Sequence, residues 1–91
     1  MAHYVYILFS DSHGVYYKGY TSSPLLRLDE HNQDRSRYTS GKGPWRMVYL
    51  EKMSDKSMAL KREKQLKRAN HLYIQWLIAS ETNIVARFFH Q

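Results

Sequence analysis

Two runs rich in tyrosine and β-branched residues, Tyr4 to Phe9 and Val15 to Tyr20, flank the pentapeptide Ser10-Asp11-Ser12-His13-Gly14. Such runs suit the pleated surface of a strand. A short glycine-containing turn between them predicts an antiparallel β-hairpin. Successive strand side chains alternate between faces, so Tyr6 lies with Tyr4 and Leu8, and Tyr17 with Val15 and Gly19. An antiparallel register that sets Tyr6 beside Tyr17 would bring two phenols together on one side of the sheet.

The chain then reads as helix, loop, strand and helices. Ser23-Pro24 is an N-cap followed by proline at the first helical position, opening a helix to about Asn32 with Leu25 and Leu28 inward. Arg27 and His31 are four apart and therefore share a face. Residues 34–44 form a polar loop carrying Arg35, Arg37 and Lys42. Trp45 to Met53 has strand character, with Met47, Tyr49 and Glu51 alternating against Val48 and Leu50. Ser54 is placed to cap a helix bearing Met58, Ala59, Leu60, Glu63 and Leu66. Asn70 is a stop, followed by a further helix holding Leu72, Trp76, Leu77 and Ile78. The segment Ile84 to Phe89 is too apolar for a free tail, and is expected to pack on the domain or on a second subunit.

Ninety-one residues allow one domain with one modest core, here a core of about residues 3–79 with a C-terminal extension over 80–91. Fourteen Lys and Arg against eight Asp and Glu leave a net charge of +6, which favours a polyanionic partner, nucleic acid above all. With no cysteine, disulfides, thiolate zinc sites and cysteine nucleophiles are excluded. The start Met1-Ala2-His3-Tyr4 lacks the features of a signal peptide, and no apolar run approaches the ~20 residues of a membrane span. The expectation is a cytoplasmic protein with no membrane association.

Glu63 stands out on its own helix. At 100° per residue from Ala59 it projects near about 40°, beside Leu66, with Lys61, Lys64 and Arg68 opposite. A carboxylate in an apolar stripe needs a cation, hydrogen-bond donors or a metal. A buried ion pair, to Arg27 or Arg46, is one answer, a side chain at the stripe's edge reaching out to water is another, and a metal is the third.

Tyr4-Val5-Tyr6, Tyr17-Lys18-Gly19, Arg27 with His31, and the lone Glu63 together resemble the signature of the GIY-YIG nucleases, over roughly Tyr4 to Ile78. The first triplet lacks its leading glycine, and lysine stands in the middle of the second. The resemblance implies an α/β (α+β) fold: a small, mainly antiparallel three-stranded sheet flanked by helices. It implies a catalytic set of Tyr6, Tyr17, Arg27, His31 and Glu63. Tyr17 sits where the attacking water is activated, Tyr6 helps position water or phosphate, and Arg27 stabilises charge on the scissile phosphate. His31 hands on protons or binds phosphate, and Glu63 holds one Mg²⁺ (or Mn²⁺) ion. Some members have a late asparagine near the active site; Asn83 is the first counterpart and Asn70 the second.

Arg35, Arg37, Tyr38, Lys42, Arg46, Lys61, Lys64 and Lys67 are the candidate nucleic-acid contacts, mixing cations with an aromatic stacking platform. The expected activity is metal-dependent cleavage of phosphodiester bonds in DNA, single-stranded or branched. One rival is a nucleic-acid-binding module of the same fold without catalysis, indifferent to chelator. Another is an interaction protein, a homodimer through the C-terminal tail.

Overall fold

The computed structural model describes residues 2–89. Strand β1 (His3–Ser10) turns into β2 (Val15–Thr21), helix α1 (Pro24–Asn32) follows, and β3 (Trp45–Met53) returns to the sheet. Helices α2 (Lys56–Lys67), α3 (His71–Ile78) and α4 (Val85–Phe89) complete the chain. The three strands are antiparallel in the order β2-β1-β3, which leaves β2 as an edge. The fold is the expected α+β arrangement.

The hairpin turns at Gly14, whose φ of 63° suits a residue without Cβ and whose N–H closes on the Ser10 carbonyl at 2.7 Å. Tyr6 is paired with Gly19 and Tyr17 with Leu8, so the two tyrosines are diagonal neighbours on one face rather than directly opposed. Their ring centroids lie 6.3 Å apart.

The sheet is covered on both sides, which changes how β3 reads. On one face Val5, Ile7 and Tyr49 pack with Ala59 and Leu66 of α2 and Ile74 and Leu77 of α3. On the other, Tyr6, Leu8, Trp45 and Leu50 meet Leu28 of α1 and Ile84, Val85 and Phe88 near the C-terminus. A register shift between Ile7 and Leu8 leaves Val48 unpaired. The extra residue turns Met47 to the Tyr6 face while Tyr49 stays on the α2 face. The strict alternation expected for β3 fails at this bulge.

Other local expectations are corrected. Leu25 is exposed, and α1 buries Pro24 and His31 instead. Ser23 occupies the N-cap position of α1 but its side chain makes no capping bond. Asp55, not Ser54, caps α2, accepting from the Met58 N–H at 2.8 Å. Leu60, Leu72 and Trp76 are exposed, since each helix lies on the sheet with a narrow contact line. Helix α2 is held to β3 by Arg62, whose Nε donates to Glu51 Oε1 at 3.0 Å, with the Tyr49 hydroxyl donating to the same oxygen at 2.8 Å.

The C-terminal segment folds back on its own domain. The Ile84 N–H donates to the Leu50 carbonyl at 2.9 Å, and Phe88 sets its edge against Tyr4. No helix among the described residues is long and apolar enough to cross a membrane.

Candidate active site

The Tyr6 hydroxyl is the centre of the site. Its ring is 1 % exposed, laid across Gly19 of the neighbouring strand. A Cβ at position 19 would overlap the phenol, so the second strand needs glycine there to let Tyr6 approach the backbone. Arg27 Nε donates to this hydroxyl at 3.3 Å, and His31 Nε2 lies 2.9 Å from it. One turn of α1 separates Arg27 from His31, so both converge on a single oxygen as their spacing predicts.

A chain of hydrogen bonds runs inward from Arg27. The Thr39 hydroxyl donates to the Ser36 carbonyl at 3.5 Å and stands 2.7 Å from His31 Nδ1. The His31 ring thus bridges two hydroxyls, that of Thr39 at Nδ1 and that of Tyr6 at Nε2. Both His31 and Thr39 are fully buried. Thr39 was invisible in sequence, being one hydroxyl in a polar loop.

Burial holds the His31 and Tyr6 rings in their neutral forms. Burial, reinforced by the Arg27 charge, pushes the His31 pKa down to about 4, so the ring is neutral near pH 7. Burial pushes the Tyr6 phenol up to about 12 against the opposing pull of Arg27, with Tyr17 and Glu63 adding to the rise. Tyr6 is thus a neutral donor, its hydroxyl engaged twice. Because the folded ring resists protonation, the unfolded chain binds the extra proton first as pH falls through 6.5. Stability is therefore expected to decline between pH 6.5 and 4. Chemical denaturation across that range should show a flatter pH dependence for His31→Gln than for wild type.

Arg27 is held at a second point, donating through Nη1 to Glu30 Oε1 at 3.4 Å. Two fixed points set the guanidinium plane, and the fork retains further N–H donors for a phosphate oxygen. Tyr17 packs against His31, ring centroids 4.9 Å apart, and lines an open cleft of about 390 Å³ with Tyr16, Lys18, Tyr38 and Lys67. The cleft wraps the edge of β2, so side chains from both faces of that strand reach it. Lys18 is the lysine at the middle of the second triplet. As a long side chain on an edge strand it comes round to the cleft, where burial lowers its pKa.

Glu63 sits on α2, across the sheet from Tyr6, yet its charge reaches the phenol. Its side chain is 19 % exposed and its carboxylate pairs with Lys67, one turn on, at 3.3 Å. The expected partners Arg27 and Arg46 are engaged elsewhere, with Glu30 and Asp11. Among the described residues no three His, Asp or Glu side chains cluster to cage a metal. A single half-buried carboxylate beside an open cleft fits an ion that keeps most of its shell as water and phosphate, as Mg²⁺ does.

Asn83 is committed to structure. Its Oδ1 accepts from the N–H groups of Leu50 and Val85, each at 3.1 Å. Its Nδ2 donates to the carbonyls of Val48 and Ile78, each at 2.9 Å. All four hydrogen-bonding positions of the amide serve backbone, which leaves none to aim at a substrate. Asn70 caps α3, accepting from the Tyr73 N–H at 2.8 Å. Asn83→Ala should destabilise the protein by about 2–4 kcal/mol in urea unfolding, since several part-buried backbone groups lose their partners. Turnover per folded molecule should be unchanged.

The candidate nucleic-acid contacts divide. Tyr38, Lys42 and Lys67 gather around the cleft, with Lys42 Nζ 4.9 Å from the Tyr38 ring centroid. Arg35 and Arg37 are exposed on the loop between α1 and β3, and Lys61 and Lys64 on α2. Arg46 is tied to Asp11 at 3.0 Å and lies over Phe9, so its charge is already matched.

Comparison with known proteins identifies the family. The GIY-YIG catalytic domain family matches residues 2–73. A UPF0213 protein of Natronomonas pharaonis is 36 % identical over 81 residues, spanning 88 % of this chain and 94 % of that one. One from Halobacterium salinarum is 42 % identical over 71 residues, 74 % of this chain and 91 % of the other. The solution structure of the UPF0213 protein BH0048 from Bacillus halodurans superposes with a TM-score of 0.58 at 29 % identity, covering 98 % and 95 % of the two chains. With the family model matched over most of its length, the chain belongs to the GIY-YIG nuclease family, alongside the UPF0213 proteins.

Proposed function

We propose that this protein is a metal-dependent endonuclease that hydrolyses phosphodiester bonds in DNA, with single-stranded or branched DNA as its substrate. The observation that carries the reading is the convergence of Arg27, Tyr6 and His31 on one buried hydroxyl beside Tyr17, at the wall of a cationic cleft. A binding surface has no use for a phenol locked between a guanidinium and a neutral imidazole.

The roles follow from geometry. Tyr6 is saturated and buried, so it orients: it fixes Arg27 from one side and takes its own orientation from His31. Tyr17 faces the open cleft and is placed to meet the attacking water. Arg27 directs its remaining donors at the phosphate, where charge grows in the transition state. Glu63 would hold the divalent ion, releasing Lys67 to the substrate. Such an ion, when bound, polarises the phosphate and acidifies bound water. His31, itself held by Thr39, fixes the Tyr6 hydroxyl that accepts from Arg27. The whole unit acts as one nuclease domain.

The test is a cleavage assay on labelled single-stranded, duplex and branched DNA with Mg²⁺, Mn²⁺ or EDTA. Metal-dependent cutting is expected, strongest where bases are unpaired. Salt-sensitive binding that ignores chelator, with no cutting of any DNA, would leave a binding module of the same fold.

A further inference from the structure

The cleft beside Tyr17 contains more than a phosphate site. Tyr38 is 68 % exposed, a high figure for a large aromatic ring, and its centroid lies 5.6 Å from that of Tyr17. Lys42 approaches the ring at 4.9 Å, and Lys18 and Lys67 line the same cleft. An aromatic face left to solvent among three ammonium groups is the arrangement that holds a nucleobase by stacking and its phosphates by charge.

The platform is anchored, although it stands on a loop. The next residue, Thr39, is fully buried between His31 Nδ1 and the indole N–H of Trp45, which donates to its carbonyl at 3.2 Å. The Gly41 N–H donates to Asp34 Oδ1 at 3.1 Å, and the Ser10 hydroxyl donates to the Lys42 carbonyl at 2.6 Å. The backbone that presents Tyr38 is therefore the backbone that holds Thr39 against His31.

We propose that Tyr38 and the cleft it shares with Tyr17 form a base-binding subsite. It takes one unstacked nucleobase next to the scissile phosphate and so selects single-stranded nucleic acid. The proposal rests on the nuclease reading for the position of that phosphate. A strand advances about 3.4 Å per nucleotide along a duplex axis. A ring 5.6 Å from Tyr17 therefore lies within one or two nucleotides of the attack point. A base inside a duplex has both faces covered and must leave its stack to reach Tyr38, at an unpairing cost that single strands escape.

The experiment uses single-stranded DNA oligonucleotides in which one abasic residue is walked along the sequence. Binding is read by fluorescence anisotropy in EDTA and cutting in Mg²⁺. For wild type, an abasic residue at one position should weaken binding about 5- to 150-fold. Tyr38→Ala should weaken the intact strand by a similar factor and lose its sensitivity to that position, while Tyr38→Phe keeps both. The exposure of Tyr38 means that the alanine variant should fold. Independently of it, Tyr38→Trp should show fluorescence quenched by the intact strand and not by the abasic one.

Unchanged affinity in Tyr38→Ala, or an abasic penalty that persists in it undiminished, would overturn the subsite. A protein with the full Tyr38 signature that never cuts would overturn the nuclease reading and leave the subsite standing. Cutting of single strands at the wild-type rate by Tyr38→Ala would do the reverse.

Discussion

Glu63→Ala is expected to lower the cleavage rate by about 10³-fold, the order of loss for removing a principal charge-stabilising element of a phosphoryl site. Glu63 is the one carboxylate whose charge is felt at the Tyr6 hydroxyl from across the sheet. Its loss frees Lys67, a cation on the cleft wall, so DNA affinity should hold or rise slightly. The fold should barely notice, because the pair with Lys67 is partly solvated and such pairs contribute little. Single-turnover cleavage, a binding isotherm and a melting curve separate the three quantities. Undiminished turnover would remove Glu63 from the reaction and the metal assignment with it.

Gly19→Ala is the second large effect, and it follows from packing alone. The new methyl group would occupy the space of the Tyr6 hydroxyl and outer ring. The backbone of β2 is paired to β1 at this residue, so the phenol must yield. Moving it breaks its bonds to Arg27 and His31 together. Overpacking of this kind costs about 1–3 kcal/mol in stability, and misplacing a catalytic group by about 1 Å costs about 10²-fold in rate. Urea unfolding and cleavage kinetics on the purified variant check both. A rate near wild type would show that the position of Tyr6 does not govern the reaction.

Much of the site was readable from spacing. The separation of the two tyrosine triplets fits a tight hairpin, and the register of that hairpin puts both tyrosines on one face. A four-residue interval on a helix puts Arg27 and His31 together. These are local geometric rules, so they survive without knowledge of the neighbours. Leu25 and Met47 show where such rules stop. Leu25 had the right residue type for burial, but α1 lies on the sheet along the line that carries His31. Met47 had the right period, but one unpaired residue at Val48 reversed its face.

Glu63 could be flagged as out of place from helical projection, and its i,i+4 pair with Lys67 is local to α2, yet its influence on Tyr6 depends on how α2 packs on the sheet. Thr39, Lys18 and the four backbone bonds of Asn83 had no local signal. Each matters through residues from distant parts of the chain. Asn83, the first counterpart of the family's late asparagine, instead closes the C-terminal segment against β3.

The amino-acid sequence by itself determined the hairpin and the order of strands and helices, because strand and helix periods are properties of the backbone, and the resemblance of its motifs gave the family and the class of fold. Which side chains meet, which hydroxyl is saturated and which ring stays open to solvent were decided by the tertiary structure. Hydrogen-bond partners and burial are set by contacts between segments tens of residues apart, such as the 25 residues that separate Tyr6 from His31.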